Sequence, residues 1–526
     1  MIKSLALTAV LLIASLPGSA TANTEFTFTP RQHAVAIASA DDPAMAAFYR
    51  DRDFAPLWFG PGAGERRAAF LSVLERAGDH GLPADRYDAA ALRAAFRDVR
   101  SGTDLGRLDV RLTGSLLQYA RDVGSGVLDP KRVDPTIVVE VPTRDLTSDL
   151  HAFATGDPHA VLRSFQPATR AYTALLREKM RLDGVARAGG WGPPVPAGKL
   201  RPGDTGGAVV ALRDRLHAMG YLGRTITAEY DTAMERAVER FQADHGLTAD
   251  GIAGQGTIDA INVPLEDRLA QVILNLERQR WMNKPLERRH VLVNIAEQHA
   301  YVVDDGIVTF DTVVVVGKES ADRRTPEFSD TMTHMVVNPS WYVPRSIATK
   351  EYLPALKRGG ARHLEVYSSK GRVNRGAVNF AAYTARTFPF SLRQPPGPKN
   401  ALGQVKFMFP NKYNIYLHDT PSKSLFARDV RTFSHGCVRV ARPAELAAHL
   451  LAPQEADPRN AFDRIRATGA ERRVDLDTPV GVHLVYWSAW VTPDGRANYR
   501  GDPYGRDRAV MSALRAAGVD LTPGRS

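Results

Sequence analysis

The sequence predicts a multidomain α+β chain: a helical N-terminal part, a small three-helix unit, and a β-rich C-terminal domain with an inserted lid. Three observations lead there. Apolar residues recur at helical spacing up to about residue 185. A stretch rich in Gly and Pro, GVARAGGWGPPVPAGKLRPGD at residues 184–204, then forbids a long helix or a central strand. From Arg289 the apolar period changes to two, the mark of half-buried strands. A chain of 526 residues is too long for one core, and 44% hydrophobic with 24% charged residues is the balance of a folded protein.

Residues 1–22 read as a removable export signal. Lys3 supplies the positive start, Leu5 to Leu16 the apolar run, and Ala20-Thr21-Ala22 a small-residue cleavage site. The run falls short of the roughly 20 residues that span a bilayer. No later run is longer, and Val480 to Val491, broken by His483 and Ser488, reads as strand. The mature chain is therefore expected to be exported, soluble and not membrane-spanning. Its formal charge of +10 favours a polyanionic partner, and export excludes intracellular nucleic acid.

Residues 23–185 are expected to form a helical scaffold. In GERRAAFLSVLERAGDHGL, Phe70, Leu71, Leu74 and Ala77 share a face and Gly81 ends the run. Similar patterns occupy residues 91–99, 112–123 and 160–182, and no catalytic constellation appears among them. Residues 186–199 form the linker. In residues 200–262, Val209, Leu212, Leu216 and Met219 define one helix face and Ala237, Val238 and Phe241 another; Asp250-Gly251 makes a turn and Thr257 can cap a last helix. Residues 263–288 contain LEDRLAQVILNLERQRWM, an amphipathic helix expected to pack back on the scaffold.

The β-rich domain is placed at residues 289–492. HVLVNIAEQHAYVVDDGIVTFDTVVVVG gives three strands with a hairpin at Asp305-Gly306, and THMVVNP, VKFMFP, YNIYLHD and GVHLVYW give more. Residues 343–403 are polar and Pro-rich; an interruption this long is usually functional, and it reads as a lid with two short helices near Lys350 to Lys357. Residues 493–526 are left as a C-terminal extension.

Cys437, in FSHGCVRV, is the only cysteine. An exported protein meets an oxidising environment in which an unpaired thiol is a liability, so a single retained thiol points to use. A nucleophilic thiol needs a base within hydrogen-bond reach and a group that orients the base. His435 and His418 are the two histidines close enough in sequence, the latter at the end of a strand. An adjacent imidazolium would hold the thiol below its usual range. Gly436 permits an unusual backbone angle, which would leave the amides of residues 436 to 438 facing a developing oxyanion. The same region offers a rival arrangement, a catalytic zinc held by His418, Asp419, His435 and Cys437.

YLHDTPSKSLF followed by SHGCVRV resembles the signature of the L,D-transpeptidase family. RRTPEFSD, NPSWYVPRSI and RQPPGPKNALGQVKFMFPN are similar to its large Gram-negative branch. Residues 200–262, with LRPGD, RFQADHGL and DGIAGQGT, resemble a peptidoglycan-binding domain. The resemblance implies a periplasmic enzyme without a cofactor or metal. Its partners would be peptidoglycan stem peptides and glycan strands, with other cell-wall synthesis proteins as further partners. It would form 3→3 cross-links that maintain cell shape, through a cysteine thioester open to carbapenems. A cysteine carboxypeptidase or endopeptidase and a non-catalytic wall-binding scaffold are the alternatives. By position, Cys437 corresponds to the nucleophile, His418 to the base, the Asp419 carbonyl to the group that orients it, and His435 and Gly436 to the motif that shapes the site. Arg439, Ser434, Tyr416, Trp341 and Asn411 are the implied substrate contacts.

Overall fold

Polar caps delimit the N-terminal helices of this computed structural model, which describes residues 28–522. The expected export signal at residues 1–22 lies outside the described residues. Thr29 and Gln32 form a reciprocal capping box, and Asp42, Ser101 and Thr169 each accept from free N–H groups at the starts of their helices. The long helix Gly102–Ser125 turns Leu108, Leu112, Leu116 and Ala120 into a core with Trp58, Phe70 and Phe153. A buried carboxylate, Asp109, fixes the crossing: it accepts from the Tyr49 hydroxyl at 2.6 Å and the Trp58 amide at 2.8 Å. Three further helices, Gly207–Ala218, Thr232–Asp244 and Gln255–Ile261, enclose a separate small core of Val209, Leu212, Met234, Phe241 and Ile258.

The helix Leu265–Trp281 departs from its amphipathic pattern, because 14 of its 17 residues are buried. It packs against Arg170–Arg187 and Gly102–Ser125 on one side. On the other it meets the C-terminal extension, residues 493–526, for which no element was expected. That extension supplies Ala497–Tyr499, which pairs with Ala489–Val491 just before it, and the helix Arg506–Ala516. Polar side chains on the covered face pair rather than hydrate: Arg278 meets Asp507 at 2.6 Å and Arg280 meets Glu277 at 3.1 Å.

The C-terminal domain begins with a meander, β1 (Arg289–Asn294), β2 (His299–Asp304) and β3 (Ile307–Gly317). Asp305 and Gly306, at φ 49° and 80°, make the tight turn whose twist suits a hairpin. β4 (Phe328–Val337) follows. The lid then contributes its own antiparallel sheet from β5 (Trp341–Tyr342), β6 (Glu365–Ser368), β7 (Gly371–Val373) and β8 (Ser391–Gln394), in the order β5-β8-β6-β7. Its core joins Leu353, Leu356, Val366, Phe388 and Leu392. The two short helices expected near Lys350 to Lys357 are present as the π-helical turn Ala348–Tyr352 and the helix Leu353–Lys357, and the lid adds to them a sheet whose strands of two to four residues are too short to show a period.

β9 (Val405–Met408), β10 (Leu417–His418), β11 (Thr432–Ser434), β12 (Val438–Val440) and β13 (Arg472–Val485) complete the main sheet. Its order is β11-β3-β12-β10-β9-β4-β13-β1-β2. The long β3 pairs with β2 through its first part and with β12 through Val314 and Val315, so the sheet closes on itself around the core. The C-terminal hairpin is β14 (Ala489–Val491) and β15 (Ala497–Tyr499). Scaffold and sheet are tied by a short parallel bridge, Ile137 to Glu327, and by the fully buried Arg506, whose guanidinium reaches Thr136, Thr325 and Glu327.

Candidate active site

β10 and β12 run parallel, with Leu417 opposite Val438 and His418 opposite Arg439. Side chains alternate across a strand. Leu417 and Val438 therefore enter the core, while Tyr416, His418, Cys437 and Arg439 share the other face and line a cleft of about 770 Å³. The lid forms the opposite wall with Trp341, Tyr342, Glu351 and Tyr352.

His418 Nδ1 lies 2.5 Å from the backbone oxygen of Asp419, which can only accept, so Nδ1 carries the proton and Nε2 is the basic atom. Burial, reinforced by the Arg439 charge, pushes the imidazole from 6.5 down to about 3 and keeps it neutral. The Asp419 carboxylate turns elsewhere: it accepts from the amides of Thr420 and Gln404 and pairs with Lys423. Gly403 makes room for it, since a Cβ there would lie 2.3 Å from the Asp419 carboxyl carbon.

Burial pushes the Cys437 thiol up from 9.0 to about 11, against the opposing pull of the Tyr416 amide, Arg439 and the Tyr416 side chain. This reverses the depressed value expected from the sequence. The physical reason is that protein around the partly buried thiol and the buried imidazole makes thiolate and imidazolium both costly, so the resting pair is neutral thiol and neutral imidazole. The sulfur also lies 3.5 Å from the Asn414 carbonyl oxygen. The Tyr416 hydroxyl lines the same cleft, and burial with the neighbouring thiol raises its pKa.

The turn before the thiol is held from within. Ser434 Oγ donates to the Cys437 carbonyl at 2.5 Å and accepts from the Gly436 amide at 3.0 Å. Thr325 Oγ1 donates to the Gly436 carbonyl at 2.7 Å. Gly436 sits at φ 113°, a left-handed conformation that disfavours a side chain. Two expectations change. The amides of Gly436 and Val438 are occupied, the latter by the Tyr416 carbonyl, so of the three only the Cys437 amide remains for an oxyanion among the described residues. Ser434, a proposed substrate contact, is 1% exposed and its hydroxyl clasps the turn.

Asn411 is corrected in the same way. Its Nδ2 donates to the carbonyls of Phe409 and Ile415, and its Oδ1 accepts from the amides of Tyr413 and Ile415. The side chain shapes the loop that presents Asn414 and has no hydrogen-bonding capacity left for substrate. Trp341 is mostly buried in the lid, edge-on to Tyr352, with part of its surface on the cleft. Arg439 faces the cleft with no carboxylate partner among the described residues, and burial lowers its pKa. The zinc arrangement does not assemble, because Asp419 is engaged with Gln404 and Lys423 while His435 Nε2 lies 2.6 Å from Glu351 Oε1. Glu351, Arg323 and Thr325 were not singled out from the sequence. The latter two sit within RRTPEFSD, but nothing in that stretch alone says which carbonyl or carboxylate they meet.

Residues 288–458 match the family described as "L,D-transpeptidase catalytic domain". Residues 43–178 match "Scaffold domain", and residues 205–261 match "Putative peptidoglycan binding domain". A Haemophilus influenzae protein named "Putative L,D-transpeptidase" is 32% identical over 248 residues, 46% of this chain and 49% of that protein. The chain thus spans about half the length of the curated relative it matches. Among solved structures, an L,D-transpeptidase from Xylanimonas cellulosilytica is 18% identical, covering 56% of this chain and 100% of that one, at a TM-score of 0.18. One from Stackebrandtia nassauensis is 15% identical, covering 56% and 96%, at a TM-score of 0.22. At such scores neither structure carries an argument.

Proposed function

Because residues 288–458 match the L,D-transpeptidase catalytic domain, behind matches to a scaffold domain and a peptidoglycan-binding domain, we propose that the chain forms 3→3 peptidoglycan cross-links outside the cytoplasm. The observation that carries this reading is the shared face of β10 and β12, where the Cys437 thiol and an imidazole fixed on the Asp419 carbonyl line one cleft.

His418 Nε2 takes the thiol proton as Cys437 Sγ attacks the carbonyl at the L-centre of the third stem residue. The thiol need not be ionised beforehand, since a neutral imidazole can accept the proton as the bond forms. The Cys437 amide, with the Tyr416 hydroxyl beside it, supplies donors for the oxyanion. The carbon–nitrogen bond breaks, D-alanine leaves with the proton from His418, and a thioester remains. An amine of a second stem displaces the thiol. Arg439, with no carboxylate partner among the described residues, suits a substrate carboxylate. Among the described residues no helix is long and apolar enough to cross a membrane. Residues 200–262 would hold the enzyme to the wall and take no part in bond-making.

Incubation with purified sacculi, followed by mass spectrometry of the muropeptides, tests the proposal. The wild type should yield 3→3 dimers and Cys437→Ala none. A carbapenem should add its mass at Cys437, about 10²-fold more slowly in His418→Ala, the scale for loss of a positioned base. Dimers from the folded alanine variant would overturn the assignment.

A further inference from the structure

The lid carries a carboxylate that thioester formation does not use. Glu351 lies in the π-helical turn Ala348–Tyr352, a distortion frequent at functional sites, and lines the cleft with Cys437. Two donors approach the same oxygen: His435 Nε2 is 2.6 Å and Arg323 Nη2 2.9 Å from Oε1. Oε2 has no partner among the described residues. Burial raises the Glu351 carboxyl, but the hydrogen bond from His435, with the charges of Arg323 and Lys318, outweighs it and holds the group below its ordinary value. It is therefore an anion with one oxygen to offer.

The surroundings single it out. The other acidic residue lining the cleft, Asp322, is paired with Lys350 at 3.0 Å, and Arg323, Arg345 and Arg439 make the rest of the lining basic. Glu351 is where this wall can take a cation. A carboxylate can only accept, so His435 donates to it through Nε2 and keeps its lone pair on Nδ1, which has no protein partner among the described residues.

We propose that Glu351 is the specificity residue for the acceptor: its Oε2 receives the acceptor's ammonium group, and His435 Nδ1 takes the proton that turns it into a nucleophile. The inference rests on the thioester at Cys437 proposed above. The ammonium gives one proton to His435. Its nitrogen then attacks the thioester carbon, the carbon–nitrogen bond forms, and the carbon–sulfur pair returns to Cys437 Sγ. A second proton leaves the nitrogen through His418 to the sulfur, and His435 releases its own to water. Thioester and ammonium thus give amide, thiol and one proton. The two histidines divide the work, His418 serving the thiol and His435 the acceptor.

The test compares full-length wild type with Glu351→Gln and Glu351→Asp on a tetrapeptide donor, reading transfer and hydrolysis products from one reaction so that the acylation rate cancels. Two nucleophiles are supplied in turn: a stem peptide bearing a side-chain ammonium, and hydroxylamine, which is uncharged at neutral pH. For the ammonium acceptor the transfer-to-hydrolysis ratio should fall about tenfold or more in Glu351→Gln, the scale of one charge-assisted hydrogen bond. Glu351→Asp should recover part of it, and the hydroxylamine ratio should hold. An unchanged ammonium ratio, or equal losses for both nucleophiles, overturns the assignment and leaves the lid residue a structural latch. A wild type that never acylates at Cys437 overturns the functional reading itself, which intact-mass measurement shows separately.

Discussion

Alkylation of Cys437 as a function of pH measures the balance between burial and charge in the cleft. A thiol at 9.0 is about one-tenth thiolate at pH 8, whereas one pushed up to about 11 is about one-thousandth, so burial removes roughly 100-fold of the reactive form. The Arg439 charge acts against burial on the thiol and with burial on His418. Arg439→Met should therefore slow alkylation further and make the imidazole easier to protonate. Iodoacetamide in excess, followed by intact mass, gives the rate constant at each pH. For the wild type it should climb about tenfold per pH step with no plateau below about pH 10. His418→Ala should keep that slope, because the neutral imidazole supplies no stabilising charge. A plateau beginning between about pH 6 and 7 would mean a resting thiolate–imidazolium pair, refuting the argument that desolvation outweighs their attraction.

Three further outcomes are expected. His80, His245 and His418 are each pushed from 6.5 to about 3, chiefly by burial. The unfolded chain takes up these protons first, so their contribution to stability is complete above about pH 6.5 and is lost as pH falls towards 3. Thermal melts should show Tm falling steadily through that window and less steeply in His245→Gln; a flat profile would count against it. Arg506→Met strands the buried Glu327 carboxylate and should cost about 3–5 kcal/mol, partly recovered by adding Glu327→Gln. Denaturant titration reads this directly, and a loss below about 1 kcal/mol would show that the tie is dispensable. Gly436→Ala places a Cβ 3.0 Å from Ile415 at φ 113°, a strain of about 1–3 kcal/mol, and should slow carbapenem addition about tenfold or more by shifting the Cys437 turn. Wild-type acylation in that variant would contradict the role given to the turn.

The legible parts of the molecule are those whose physics is local. Helical spacing across residues 63–75, the Asp305-Gly306 turn and the period-two runs from Arg289 each depend on near neighbours, and the architecture contains them as helix, tight turn and strands. The candidate site was legible where residue types alone imply chemistry: a lone thiol with two histidines near it in sequence. The electrostatics were not legible. The direction of the Cys437 shift is set by how much protein lies over the thiol, and no motif records that.

The sequence by itself determined which groups could react and the order in which the chain delivers them. The tertiary structure alone decided which atoms meet. Parallel pairing of β10 with β12 puts His418 and Cys437 on one face although 18 positions separate them. Folding of the lid brings Glu351 to His435 across 84 residues, and helix Arg506–Ala516 closes over Leu265–Trp281 from more than 200 residues away. Contacts at such separations leave no periodic trace in the chain, because they depend on closure of the whole sheet and on the burial that follows it.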